Sequence, residues 1–293
     1  MKNAIFALTR GYPNQKNLYK DLLQRNRSIF EHINKKRAIP ATLILFHEGN
    51  ISEKDQSYIN SESPEPLKFI DVSKYFKGQE LELKGESKFS LSYRNMCRFN
   101  MYHIWDEVSE YDYILRVDED IEINDFDPFV FEKMKEKNQI YLTGRFTKET
   151  HRLTNKTLPY FLIENTDLDV DKIYNHQNPY TNLYASSVKF WNNKEIKSLL
   201  KKIALSDEQI INRWGDHTVQ GLLLNHKKIK INLFPKLIYR HTSHDLIIKN
   251  NLIRNLTLNS KYNPVATNEN LLVKLKLWIK GKIISTNKYD FDS

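Results

Sequence analysis

Three observations predict an α/β fold with a mostly parallel central sheet. Four apolar runs have strand length: residues 3–8 (NAIFAL), 41–46 (ATLILF), 67–72 (LKFIDV) and 111–117 (YDYILRV). They are too short for helices, and the last is aromatic and β-branched. Between the first two, Leu18, Leu22, Leu23, Ile29, Phe30 and Ile33 fall mostly on one helical face of residues 14–33. Strand, helix and strand in that order are the mark of βαβ units. A chain of 293 residues, 40% hydrophobic and 28% charged, suits one large α/β domain, or one domain with a helical appendage. We expect residues 1–262 to form the domain and residues 263–293 a basic C-terminal helix and tail.

The first run ends at Thr9-Arg10-Gly11, a polar turn at a strand C-terminus, where ligands of open α/β sheets collect. Residues 51–66 are polar and read as a surface helix or loop. A polar-aromatic helix is expected over residues 92–105, carrying Tyr93, Arg94, Cys97 and Arg98. Asp127-Pro128 offers a helix start running to about Glu136, and residues 140–143 a strand. Residues 145–178 have weak periodicity and read as loops with short elements. Helices are expected over 194–204 and 206–224. Gly215 lies inside the second, where glycine costs about 1 kcal/mol relative to alanine, so a break is expected there. Residues 229–234 form a further strand leading to Tyr239-Arg240-His241.

The single cysteine, Cys97, excludes an intrachain disulfide. The apolar opening is interrupted by Thr9 and Arg10, too early for a signal peptide or an anchor. No later apolar run has the length of a membrane span, so a cytoplasmic or membrane-peripheral protein is expected. Of the net charge of +9, residues 226–282 carry the whole excess, with twelve Lys and Arg against Asp245 and Glu269. No zinc-finger, RNP-like or helix-turn-helix pattern accompanies that charge, so nucleic acid is not an expected partner. Within it, residues 270–284 (NLLVKLKLWIKGKII) align Leu271, Leu272, Leu275, Trp278 and Ile279 on one helical face, with lysines around the rest. Either a docked C-terminal helix or weak, salt-sensitive binding to an anionic membrane surface fits this pattern.

The fourth run empties into Asp118-Glu119-Asp120. Three adjacent carboxylates repel one another, and a hard divalent cation, Mn2+ or Mg2+, is an economical neutraliser. An acidic turn is the competing reading. If a cation is bound, removing Asp118 or Asp120 should relieve repulsion in its absence and leave the fold intact.

At this point six stretches occur together in order: SYRNMCRFN, YDYILRVDEDIEI, DPF, Phe190-Trp191, RWGD and YRH. Their sequence and spacing resemble the fungal α-1,2-mannosyltransferases, glycosyltransferase family 15, from about Ala4 to His244. The resemblance implies a GT-A fold, GDP-mannose as donor, Mn2+, a glycan or glycolipid acceptor and transfer with retention. It implies metal ligation by Asp118, Asp120 and His241. It also implies donor contacts at Thr9, Arg10 and Tyr93, with Arg94 and Arg98 beside Tyr93 as guanidinium forks suited to phosphate. Asp216 matches a carboxylate near the acceptor, able to orient or deprotonate the attacking hydroxyl. Arg213 and Trp214 read as scaffold, with Trp214 a possible sugar platform. The chain departs from the family pattern in three places: Asp118 stands where the family has its metal-binding glutamate, Glu119 replaces a proline, and Tyr184 falls where the family carries a glutamate proposed as nucleophile. No carboxylate stands between Asp171 and Glu195. Same-face attack assisted by the leaving diphosphate is then the expected route, unless the donor, acceptor or activity itself differs.

Overall fold

The computed structural model describes residues 1–77, 81–85, 89–170, 177–244 and 246–249, and the backbone of 252–255 and 284–285. The first strands are where the apolar runs place them: β1 (Asn3–Thr9), β2 (Thr42–His47), β3 (Leu67–Asp71) and β4 (Tyr113–Val117). Later strands β6 (Tyr141–Thr143), β9 (Leu183–Ser187) and β10 (Ile231–Leu233) complete a seven-stranded sheet of order β10-β6-β9-β4-β1-β2-β3, while β7 (Phe146–Thr147) and β8 (Asn178–Pro179) pair apart from it. All neighbours are parallel except β9, which runs antiparallel to both β4 and β6. The C-terminal ends of β1, β4 and β6 therefore share one edge with the N-terminal start of β9. That edge gathers Thr9, Asp118 and Asn182.

A second, antiparallel sheet was not legible in the apolar runs. It orders β14 (Ile284–Ser285), β13 (Leu252–Asn255), β12 (Leu246–Lys249), β11 (Leu237–His241) and β5 (Ile121–Phe126). The stretch 270–284 lies outside the described residues, apart from Ile284 in β14. Among the described residues no helix is long and apolar enough to cross a membrane.

Helices cover both faces. On one lies α1 (Lys20–His32), burying Leu22, Leu23 and Ile29. On the other, α3 (Leu91–Arg98) starts at Ser90, whose hydroxyl accepts from the Tyr93 amide at 3.3 Å. It continues through a π-helical turn, Phe99–His103, into α4 (Ile104–Glu107). The widened turn lets Phe99, Met101, Ile104 and Trp105 all reach the core, which a single 3.6-residue period could not arrange. Trp105 stacks on Trp191 with centroids 4.8 Å apart. The surface stretch after β2 forms α2 (Glu53–Glu62), capped by Ser52. Helix α5 (Val130–Glu136) follows a turn at Pro128 and Phe129, where Asp127 Oδ1 accepts from the Phe129 amide at 3.2 Å.

The region 145–178 holds a fourteen-residue helix that the sequence reading missed, α6 (Arg152–Asn165). Its buried stripe is Thr154, Leu158 and Leu162, and a threonine and the internal Pro159 mask the helical signal. After α7 (Val188–Trp191) and α8 (Lys194–Ala204), the stretch 206–224 is two helices, α9 (Asp207–Ile211) and α10 (Asp216–His226). The chain breaks at 212–215, where Arg213 adopts φ 57° and Gly215 caps α10.

One pH dependence follows from this packing. His103 stacks on Tyr75 at 4.1 Å, and burial first, then the nearby Arg98 charge, hold its pKa down from 6.5 to about 4. Between those values the unfolded chain takes up a proton that the fold refuses. Stability contributed by neutral His103 is therefore complete above pH 6.5 and is lost as pH falls toward 4. The urea midpoint of wild type should fall relative to that of His103→Phe as pH drops through this range. A constant difference between them would rule the linkage out.

Candidate active site

Strand β4 ends with its chain held to β9: the Asp118 amide donates to the Asn182 carbonyl at 3.0 Å. The Ile121 amide then donates back to the Asp118 carbonyl at 3.1 Å, turning the chain from the first sheet into β5. Strand β11 pairs with β5 so that His241 lies opposite Ile121. This register carries His241 to Asp120, with Nε2 3.1 Å from Oδ2. Thr242 fixes the turn from below, donating through its amide (2.9 Å) and hydroxyl (3.0 Å) to the Asp120 carbonyl. The Ser243 hydroxyl donates to the Asp120 carboxylate. Burial works against the Asp120 charge, but His241 and Ser243 outweigh it and bring its pKa down to about 2. Behind His241, Asn182 Nδ2 stands 3.4 Å from Nδ1, and its Oδ1 accepts from Tyr239 at 3.4 Å. Gly144 permits this support, because a Cβ there would come within 3.1 Å of the Tyr239 ring.

Asp118 faces elsewhere. Arg116 precedes it by two residues on the same strand face and grips its carboxylate through Nε (2.6 Å) and Nη2 (3.2 Å). Arg116 Nη1 donates to Asp216 Oδ2 at 2.8 Å, and both of those side chains are more than 90% buried. Burial disfavours the Arg116 charge, yet Asp118 and Asp216 together raise its pKa. A second buried cation, Arg25, donates to the Val117 carbonyl at 2.7 Å. Burial lowers its pKa to about 9 against the pull of Asp118 and Glu119. The positive charge expected beside the acidic triplet is thus partly protein.

The expected ligands Asp118, Asp120 and His241 are thus engaged differently. Among the described residues no three His, Cys, Asp or Glu side chains stand together as a cage for one ion. Asp120 and His241 do meet, and one carboxylate with one imidazole suits Mn2+ when substrate phosphates and water complete the shell. Asp118 could join them only by giving up Arg116. Asp216 is engaged likewise: its buried carboxylate is the counter-ion of Arg116, so accepting a proton from an acceptor hydroxyl would work against that pair.

The donor contacts divide. The Thr9 hydroxyl donates to Glu119, whose pKa burial raises. Arg10 is exposed at the mouth of this edge and bonds the Tyr12 hydroxyl at 2.9 Å. Gly11 closes that turn, since a Cβ would fall 1.8 Å from the Asn50 carbonyl oxygen. Tyr93 sits farther along, its hydroxyl 3.5 Å from Arg213 Nη2. Arg94 is not a free fork: its guanidinium donates to the carbonyls of Phe89, Ile210, Ile211 and Lys84 at 2.7–2.8 Å. Arg98 bonds Gln209 Oε1 (3.0 Å) and the Ser206 carbonyl (2.9 Å). Both arginines tie α3 to α9 instead of facing a phosphate.

Tyr184 is fully buried, stacked on Tyr141 at 5.1 Å, and register-paired with Arg116. It is a core residue and cannot touch a sugar in this arrangement. Trp214 is also buried, its indole bonded to Thr157 at 2.9 Å, which removes it as a sugar platform. The sequence reading passed over Glu149, Arg116 and Arg145. Glu149 accepts from Thr218 (2.8 Å) and lies 3.5–3.6 Å from His217 and Arg213. Nothing in its loop-like context marked it. Arg116 was detectable, because i and i+2 on a strand share a face.

Residues 52–261 match the family model described as glycolipid 2-alpha-mannosyltransferase. Among curated relatives, the chain is 28% identical over 174 residues to glycolipid 2-alpha-mannosyltransferase 1 of Candida albicans. It is 29% identical over 196 residues to glycolipid 2-alpha-mannosyltransferase 2 of the same organism. These matches cover 52% and 59% of this chain but only 40% and 41% of the relatives, so the chain spans well under half of their length. Among solved structures, core-mannan synthase A of Aspergillus fumigatus in its Mn/GDP form superposes with a TM-score of 0.67. That alignment has 17% identity and covers 82% of this chain and 74% of the other. The mannosyltransferase Ktr4p of S. cerevisiae in complex with GDP gives a TM-score of 0.68 at 17% identity, covering 82% and 71%. The shared fold is the GT-A glycosyltransferase fold, with its mostly parallel sheet flanked by helices. With the family match spanning residues 52–261, the chain belongs to the glycolipid 2-alpha-mannosyltransferase family, glycosyltransferase family 15.

Proposed function

We propose that this chain is a metal-dependent, retaining mannosyltransferase that moves mannose from GDP-mannose to a glycan or glycolipid hydroxyl in α-1,2 linkage. The observation that carries the reading is the Asp120–His241 pair at the C-terminal sheet edge, where the two sheets meet. Asp120 and His241 would hold the Mn2+, which when bound supplies positive charge against the departing diphosphate. The chain's own residues supply positioning. Arg116 keeps Asp118 and Asp216 fixed on either side of the β4 terminus, and Asn182 sets the His241 ring. Thr9 and Arg10 line the nucleotide end of the edge, and Tyr93 the side toward Arg213. With Tyr184 in the core, the acceptor hydroxyl attacks C1 from the face the diphosphate leaves. The C1–O bond to phosphate breaks as the new glycosidic bond forms, and the hydroxyl proton passes to the leaving phosphate oxygen.

A panel of GDP- and UDP-sugars, incubated with the chain and Mn2+, tests the donor by nucleotide release. GDP release from GDP-mannose is expected above all others. Preferential consumption of a UDP-sugar would replace the donor assignment, and no consumption of any would remove the enzymatic reading. The basic stretch 270–284 adds a proposed peripheral contact with an anionic membrane surface. The full chain should pellet with anionic vesicles at low salt more than a chain ending at Thr267, and equal pelleting would end that idea.

A further inference from the structure

Arg145 is a buried guanidinium with unmet hydrogen-bonding capacity. It lies just past the C-terminal end of β6 and is 3% exposed. Its carbon sits 3.9 Å over the Tyr180 ring, and that ring is 6.3 Å from the His241 ring. The backbone clamps it there: the Arg145 carbonyl accepts from the Tyr180 amide at 3.0 Å and from the Thr143 hydroxyl at 2.8 Å. Nε and Nη1 are both buried with no hydrogen-bond partner among the described residues. No carboxylate among the described residues forms an ion pair with it.

An arginine cannot shed this charge by deprotonating. A buried, unpaired cation is costly, and stacking on one tyrosine offsets only part of that cost. Natural folds retain such a group where a ligand completes it. The missing partner must be an anion, and a planar fork of N–H donors fits phosphate oxygens. Arg94 and Arg98, the arginines that the motif favoured, are already satisfied by the protein. We infer that Arg145 is the phosphate-binding arginine of this site, its Nε and Nη1 donating to the diphosphate of the nucleotide-sugar donor. The inference rests on the nucleotide-sugar reading and names the residue that reading lacked.

The test uses the full chain and two variants, Arg145→Met and Arg145→Lys, with Mn2+ throughout. Calorimetric titrations with GDP, guanosine and inorganic pyrophosphate are paired with thermal melts without ligand. Arg145→Met should weaken GDP and pyrophosphate binding by about tenfold to a hundredfold and leave guanosine unchanged. Arg145→Lys, a charge without the fork, should fall between. The ligand-free Arg145→Met protein should melt at or above the wild-type temperature, the opposite of what a structural arginine gives. Failure of Arg145→Met to fold, or a lower melting point with unchanged GDP affinity, overturns the inference. If wild type binds GDP and Arg145→Met binds it equally, the inference falls and the nucleotide-sugar reading stands. If wild type binds pyrophosphate through Arg145 but not GDP, the nucleotide reading falls and the anion site stands. Binding of neither removes both.

Discussion

Replacing Asp120 by alanine is expected to reduce Mn2+-dependent turnover of GDP-mannose by roughly 10²–10³-fold while the protein stays folded. The carboxylate is the acidic half of the Asp120–His241 pair, and neither Glu119, turned to Thr9, nor Asp118, held by Arg116, can take its place. The fold should survive because Thr242 holds the Asp120 carbonyl, which the substitution keeps. His241→Ala should give a comparable loss. Initial rates over a Mn2+ titration check both variants. Wild-type rates for either at saturating Mn2+ would return the pair to a purely structural role.

The second large effect is on stability. Arg116→Met removes the guanidinium shared by Asp118 and Asp216, and Asp216 is left buried and charged with its partner gone. Breaking a buried pair from one side costs about 3–5 kcal/mol. Adding Asp216→Leu should recover part of that loss, because it removes the more deeply buried orphaned carboxylate and leaves only the partly exposed Asp118 without its cation. Chemical denaturation of wild type, single and double variants reads the cycle. A single variant as stable as wild type would show that the pair contributes nothing. The same geometry reverses the expectation that deleting Asp118 relieves repulsion. Asp118→Ala strips Arg116 of its bidentate partner, so the metal-free protein should be less stable, not more.

How far the residues themselves announced this structure depends on the kind of signal. Strands β1 to β4 were legible because uninterrupted apolar runs of strand length have few alternatives. The break before α10 was legible from Gly215, since glycine is costly inside a helix. Helix α6 was hidden because its inward stripe begins with Thr154 and carries Pro159 beside it. The second sheet escaped because strand β11, LIYRH, alternates apolar and polar residues over only five positions.

At the site, the order of motifs identified Asp120 and His241, and the structure puts them in contact. Motif order could not tell which arginines near Tyr93 were free. That depends on carbonyls from Phe89 and from Ile210 and Ile211, more than a hundred residues apart in the chain. Nor could it place Tyr184, whose inward orientation follows from the pairing of β9 with β4. Arg145 carried no motif at all, and only the burial of its Nε and Nη1 without a hydrogen-bond partner among the described residues marks it.

The proposed reaction is transfer of mannose with retention at this site. Incubating the chain with GDP-mannose, Mn2+ and methyl α-mannoside, and reading the anomeric proton and linkage of the product by NMR, tests it most directly. The expected product is a disaccharide with a new α-1,2 linkage, absent when Mn2+ is chelated. A β-linked product, or an equal yield without the metal, would contradict it.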